Sequence, residues 1–182
     1  MKRYTLLEKF FHNIVLKNNL LLNISFDIEK FFSLKTNKIN NSKKLFITGY
    51  ARSGTTILLN SLFKIGVFKS LTYKDMPLVL SPKLNRLFGF FKINNKKIER
   101  AHGDRIEIDI ESPEAFEEIF WKNRFKNQYI KANHLEENNV SDSLLDEFSQ
   151  FINLINPENK IYLSKNNNNI LRIKKIKNLT NS

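Results

Sequence analysis

Residues 44–62 read KLFITGYARSGTTILLNSL, and this stretch decides how the rest of the chain is interpreted. It opens with a β-branched and aromatic run, Leu45 to Thr48, which is typical of a strand covered on both faces. A loop bounded by Gly49 and Gly54 follows, and apolar residues at helical spacing come after it. The stretch therefore predicts a buried strand, a tight loop and a helix, in that order.

The loop has the features of an anion site. Its two glycines allow a tight turn and a close approach of the backbone, and the helix start offers free N–H groups to an anion. The glycine spacing is that of a nucleotide-binding P-loop, but Thr55 stands where that motif has lysine. The nearest cation is Arg52, whose guanidinium suits an oxyanion that no metal needs to bridge. The predicted anion-binding residues are Gly49, Arg52, Ser53, Gly54, Thr55 and Thr56; the alternative is an ordinary strand–turn–helix.

Composition narrows the class of protein. The chain has 182 residues, of which 41% are hydrophobic, enough for one domain with a proper core. It has no cysteine, which excludes disulfides and thiolate metal sites. The three histidines are far apart in sequence, so we predict no metal site. The net charge of +12 comes mostly from dispersed lysines. We therefore give it little weight and expect no nucleic-acid partner.

The first 43 residues predict an N-terminal helical segment and a linker. Two apolar sets recur there at helical spacing, one from Leu6 to Leu16 and one from Leu20 to Phe32. Polar residues interrupt both sets, so neither reaches the ~20 apolar residues of a membrane span. No cleavage site of a signal peptide is evident. We expect helices that pack on the domain, no transmembrane segment and a cytoplasmic location.

Further elements are predicted downstream of the loop. They are an alternating strand at 106–110, a helix with Ser112 as its N-cap, an amphipathic helix capped by Ser141 or Ser143, a strand at 161–164, and a helix from Ile170.

Three blocks of the sequence together resemble one family. ITGYARSGTTILLNSL resembles the 5′-phosphosulfate-binding loop of sulfotransferases. TYKDMPLVLSP and ERAHGDRIEIDIESPEAFEEIFW are similar to segments of a bacterial branch of that family, although Lys74 stands where arginine is expected. The resemblance spans about residues 44–175. It implies an α/β fold of the P-loop-containing nucleotide hydrolase-like class, with three α/β/α layers and a parallel sheet, and residues 44–182 would form the N-terminal part of the domain.

The resemblance also implies a reaction. The donor would be 3′-phosphoadenylyl sulfate, held by the predicted anion-binding residues 49–56, called the anion loop below. The acceptor would be a hydroxyl of a small molecule or glycan. Arg52 and Lys165 would stabilise the developing charge. His102 is the predicted base because an imidazole titrates near neutral pH, unless it only caps a turn. The alternates are Glu99 and Asp104, and Lys74 with Asp75 would either shape the acceptor pocket or form a solvated ion pair.

One expected part of the family pattern is missing. The Arg-Asp-Pro segment and the following serine, which bind the 3′-phosphate of the donor in the family, have no counterpart after Ile176. We therefore expect a truncated or split protein that a partner chain completes, or one that is inactive. Two alternatives stay open: a non-catalytic relic that binds an anion, a nucleotide or nucleic acid, and a P-loop phosphotransferase, although the lysine and magnesium ligand that the latter needs are not evident.

Overall fold

The computed structural model describes residues 18–34, 42–88, 97–99, 107–156, 158 and 160–180. The helices are α1 (Asn19–Leu34), α2 (Thr55–Phe63), α3 (Pro82–Phe88), α4 (Glu117–Phe125), α5 (Asp142–Ile155) and α6 (Ile173–Ile176). The strands are β1 (Lys44–Ile47), β2 (Phe68–Lys69), β3 (Ile98–Glu99), β4 (Glu107–Ile108) and β5 (Ile161–Lys165). Short 3-10 turns of helix cover Tyr73–Asp75, Asn167–Arg172 and Lys177–Leu179.

A small parallel sheet lies at the centre of the described chain. Its strand order is β1-β5-β2, so β5 pairs with strands that come much earlier in the sequence. The register places Ile47 of β1 beside Lys165 of β5 and Phe68 of β2 beside Ile161. The mixed α/β class with a parallel sheet is thus confirmed, while the P-loop class stays a prediction. Strands β3 and β4 form a separate antiparallel pair.

Helices cover both faces of this sheet. Ile47 and Leu163 point to one face and pack against Leu59 of α2. Their chain neighbours Phe46 and Tyr162 point to the other face and join the larger core cluster, because successive side chains of a strand alternate between faces. Only part of β1 is buried, since Leu45 is exposed. The prediction that β1 is covered on both faces is therefore wrong for that residue.

The larger core is built around aromatic rings from α4 and α5. Phe120, Trp121, Phe148 and Phe151 are all fully buried. The ring centroids of Trp121 and Phe148 lie 4.5 Å apart, and those of Phe120 and Phe151 are stacked at 5.2 Å. Rings of this size bury a large apolar area and add specific ring–ring contacts. This cluster therefore joins α4 to α5 through buried aromatic contacts.

Helix α1 contains the second apolar set of the N-terminal segment. Its start is capped by Asn18, whose Oδ1 accepts the N–H groups of Leu20 and Leu21. Leu22 and Phe26 on one face join the larger core. The opposite face is apolar and exposed: Leu20, Leu21, Ile24, Ile28, Phe31 and Phe32. Within the described ranges no helix is both long and apolar enough to cross a bilayer. The first apolar set lies outside the described residues.

The region around Ser112 differs from the prediction. Ser112 is not an N-cap, and α4 begins at Glu117. The Ser112 hydroxyl instead donates to the carboxylate of Asp109 at 2.8 Å, which closes a turn. The stretch after it is held by the chain near Leu71, where Glu114 N–H donates to the Leu71 carbonyl. Because the turn closed by Asp109 and Ser112 follows directly, the described part of the predicted strand at 106–110 is limited to β4.

The C-terminal elements agree with the sequence. Ser141 is the N-cap of α5, and its hydroxyl accepts the N–H of Leu144 at 3.2 Å. The helix ends at Ile155, directly before Asn156. Strand β5 covers the predicted strand and includes Lys165. The predicted last helix is a 3-10 turn of helix followed by α6.

We expect Phe148→Ala to lower the free energy of unfolding by about 3–5 kcal/mol, because it leaves a cavity between four aromatic rings. Denaturant unfolding followed by circular dichroism measures this. Leu87→Ala is the control, because Leu87 is 81% exposed on α3, and its effect should stay below about 0.5 kcal/mol. Similar losses in the two variants would contradict the assignment of the core.

Candidate functional site

The loop between β1 and α2 is a tight turn with two left-handed residues. The N–H and the hydroxyl of Ser53 both donate to the carbonyl of Tyr50, at 3.3 and 2.7 Å. Arg52 has φ +65° and Gly54 has φ +81°. A non-glycine residue in this region is uncommon and costs conformational energy. The loop therefore holds Arg52 in a conformation that its neighbours impose.

The two glycines of the motif are needed for different reasons. A Cβ on Gly49 would lie 2.9 Å from the Ser53 hydroxyl oxygen and 3.3 Å from the Thr55 methyl group, so a side chain there would have to displace the Ser53 hydroxyl. A Cβ on Gly54 would meet nothing within 4 Å, and glycine is favoured there by its positive φ. The space above Gly54 is thus open to a ligand.

The start of α2 has unused hydrogen-bond donors. No side chain caps it, and its first intrahelical bond runs from Leu58 N–H to the Gly54 carbonyl. In the described part of the chain, no group accepts the N–H of Gly54 or Thr55 or pairs with the exposed guanidinium of Arg52. An uncapped helix start with a cation beside it can hold a phosphate or sulfate.

Two of the three hydroxyls of the predicted site donate to the protein, and the third belongs to a buried residue. Ser53 donates to Tyr50, as described above, and Thr55 donates to Oδ1 of Asn167 at 3.2 Å. Thr56 is buried. The hydroxyls of Ser53 and Thr55 can still accept a hydrogen bond, but each has its single proton in use. The donors that are open to an anion are therefore backbone N–H groups and the Arg52 guanidinium.

The end of β5 lies directly beside this loop. Lys165 is in register with Ile47, the last residue of β1. Its side chain is 12% exposed, and its ammonium group lies 3.7 Å from the carboxylate of Glu114. The next-but-one residue, Asn167, accepts the Thr48 hydroxyl with its carbonyl at 3.2 Å. The structure therefore brings Lys165 to the same edge of the sheet as the anion loop.

The remaining predicted site residues either lie outside the described residues or are described with other surroundings. His102 and Asp104 lie outside the described residues, and Glu99 is exposed in β3. Lys74 forms an exposed ion pair with Glu111 at 2.8 Å. Asp75, by contrast, is buried and accepts the N–H and hydroxyl of Thr72, at 2.9 and 3.1 Å, as a helix cap. In this arrangement Lys74 and Asp75 act separately.

A buried polar network, which the sequence analysis missed, lies behind the end of β5. Its centre is the pair Glu117 and Glu118 at the start of α4, which are 1% and 9% exposed. Glu117 accepts hydrogen bonds from Trp121, Tyr162 and Asn169. Glu118 accepts hydrogen bonds from Tyr129, Asn166, Asn168 and Arg172. The available signals were two adjacent glutamates and an asparagine run after a strand, and neither reveals the pairing.

Arg172 supplies the one cation of this network in the described chain. Its Nη2 donates to Glu118 at 3.0 Å, and its side chain is fully buried. The guanidinium also lies over the Trp121 ring at 4.6 Å and the Tyr129 ring at 5.3 Å. Stacking on aromatic faces partly replaces the lost hydration of the cation.

Searches with this chain found no matching family model, no matching curated protein and no matching solved structure.

Gly54→Ala should lower the free energy of unfolding by about 1–2 kcal/mol, because alanine is disfavoured at positive φ. Gly66→Ala is a matched comparison, since Gly66 has φ +85° and also has open space around it. Denaturant unfolding of both variants measures the two costs. No loss in Gly54→Ala would mean that the loop does not hold the left-handed turn.

We also expect two tyrosines to titrate only when the protein unfolds. Burial, followed by the Glu117 charge, raises the pKa of Tyr162, and burial, followed by the Glu118 hydrogen bond, raises the pKa of Tyr129. Unfolded tyrosine ionises near pH ~10. The contribution of these two protonated tyrosines to the free energy of unfolding is therefore complete below pH ~10 and is lost as the pH rises above that value.

A spectrophotometric titration of phenolate, run beside circular dichroism, measures this effect. Tyr162→Phe should flatten the fall in stability at alkaline pH. The expectation fails if all five tyrosines of the chain ionise near pH ~10 while the fold stays intact.

Proposed function

We propose that the chain binds the 5′-phosphosulfate end of 3′-phosphoadenylyl sulfate at residues 49–56 and serves sulfuryl transfer to a hydroxyl of a small molecule or glycan. The observation that carries the proposal is the uncapped start of α2 behind a left-handed turn, with Arg52 unpaired in the described chain and Lys165 on the neighbouring strand. The sequence resemblance to sulfotransferases supports it.

The identity of residue 55 favours a sulfuryl donor over a nucleoside triphosphate. A P-loop phosphotransferase needs a lysine at this position to reach the β- and γ-phosphates. Thr55 has no charge, and its hydroxyl proton is used on Asn167. The positive charge of the site has to come from Arg52 and Lys165, which lie on different segments. Such an arrangement fits an anion that is held from two sides.

In the proposed reaction the acceptor oxygen attacks sulfur in line with the bridging oxygen. The new S–O bond forms as the bond from sulfur to the bridging oxygen breaks, and negative charge accumulates on the departing phosphate. Backbone N–H groups at the start of α2, together with Arg52, stabilise that charge. Lys165 does so from the side of β5. The acceptor hydroxyl loses its proton to a base, for which we propose His102, with Glu99 or Asp104 as alternates.

The test is calorimetric titration of the purified chain with adenosine 3′,5′-bisphosphate, the product that the donor would leave. Arg52→Ala should weaken binding at least about tenfold, because a hydrogen bond from a charged group contributes about 1.5–3 kcal/mol. Lys126→Ala is a matched control, because Lys126 is also an exposed cation at positive φ, 49°, but lies at the end of α4. Its binding should equal that of the unchanged chain.

Three results would contradict the proposal. One is a folded wild-type chain that shows no saturable binding. A second is an equal loss of affinity in Arg52→Ala and Lys126→Ala. The third is salt-dependent binding to any polyanion without preference for the bisphosphate, which would indicate a non-catalytic anion binder.

A further inference from the structure

Burying the pair Glu117 and Glu118 costs free energy. Two adjacent carboxylates are removed from water, and in the described chain the network around them holds a single cation, Arg172. Burial of a charge costs several kcal/mol unless charged and polar partners satisfy it. Apolar residues of similar size would often be as stable in such a place. The pair therefore calls for an explanation beyond stability.

The donors that satisfy the pair come mainly from one segment. Of its seven side-chain donors, four belong to residues 166–172, directly after β5. The amide groups of Asn166 and Asn168 reach Glu118 at 2.6 and 2.8 Å, and that of Asn169 reaches Glu117 at 2.8 Å. If the segment moved, buried carboxylate oxygens of Glu117 and Glu118 would lose their donors. The pair therefore restricts the segment to one position.

The same segment contacts the anion loop on its other side. The N–H of Asn166 donates to the carbonyl of Ile47 at 2.9 Å. Asn167 accepts the hydroxyls of Thr48 and Thr55. Lys165 immediately precedes it and lies beside Glu114. The segment is thus held between two carboxylates at one side and the candidate anion loop at the other.

We propose that Glu117 and Glu118 are positioning residues that hold Asn167 against the candidate anion loop, and Lys165 at the neighbouring end of β5, and so set the affinity of the loop for an anion. This inference rests on the proposed function for the ligand, but the contact between the segment and the loop does not depend on it. In this role the carboxylates would not contact the anion themselves. They act through the asparagine amides, because these amides lock the backbone that carries Lys165.

The test compares two variants with the same chemical change. Asn168→Ala removes one donor to Glu118 from the segment. Asn123→Ala removes a largely buried amide on α4 that donates to Asn19 of α1, away from the segment. Thermal unfolding measures the general loss of stability in each. Titration with adenosine 3′,5′-bisphosphate measures affinity. Hydrogen exchange of the backbone N–H groups of Asn166 and Asn169 measures how firmly the segment is held.

We expect Asn168→Ala to weaken binding about tenfold, since a small displacement of a binding group has a large effect. The Asn166 and Asn169 amides should also exchange faster in this variant. Asn123→Ala should change neither quantity, even at an equal loss of thermal stability. Unchanged amide exchange in Asn168→Ala overturns the positioning role, and so does a parallel effect in both variants.

The exchange measurement separates the two proposals. If the wild-type chain binds no bisphosphate, the proposed function fails, and the exchange comparison alone decides whether the pair holds the segment. If the wild-type chain binds and Asn168→Ala binds equally well, the positioning role fails while the proposed function stands.

Discussion

The parallel pairing of β1 with β5 is the constraint on which the site depends. Residues 47 and 165 are far apart in the chain, yet the register makes them neighbours at the carboxyl edge of the sheet. Every segment that leaves this edge is therefore brought close to the others, which is why ligands of parallel α/β sheets bind there. The candidate anion loop after β1 and the asparagine segment after β5 are brought together by this pairing.

Two kinds of interaction hold that edge in place. The aromatic cluster of α4 and α5 supplies non-directional burial behind the sheet. The carboxylate pair at the start of α4 supplies direction, because each hydrogen bond demands a donor at a defined place. Apolar burial packs α4 against β5. The carboxylates of Glu117 and Glu118 then select which residues of the segment after β5 bond to α4. The network of Glu117 and Glu118 connects the apolar core, through Trp121 and Tyr162, to the segment beside the candidate site.

The anion loop itself combines strain with openness. Its left-handed residues and the close contact at Gly49 are local features that two glycines make possible. The unused N–H groups at the start of α2 follow from the absence of a capping side chain. The hydroxyls of Ser53 and Thr55 donate to the protein, so the open donors of the candidate loop are backbone N–H groups and the Arg52 guanidinium. An anion at this loop would therefore be recognised by charge and by backbone N–H groups more than by side-chain hydroxyls.

The sequence alone was enough to predict the strand–loop–helix unit at residues 44–62, a helix cap at Ser141 or Ser143 and a strand at 161–164, because turn glycines, caps and apolar periodicity act over a few residues. The structure decides for Ser141 and extends the strand to Lys165. The sequence misplaced the start of α4, since Ser112 satisfies Asp109 and the stretch after it bonds to the chain near Leu71. It also missed the contacts of Glu118 with Asn166 and Asn168. Those contacts join residues about 50 positions apart, and a hydrogen bond over that distance exists only once the sheet and the core have brought its two ends together.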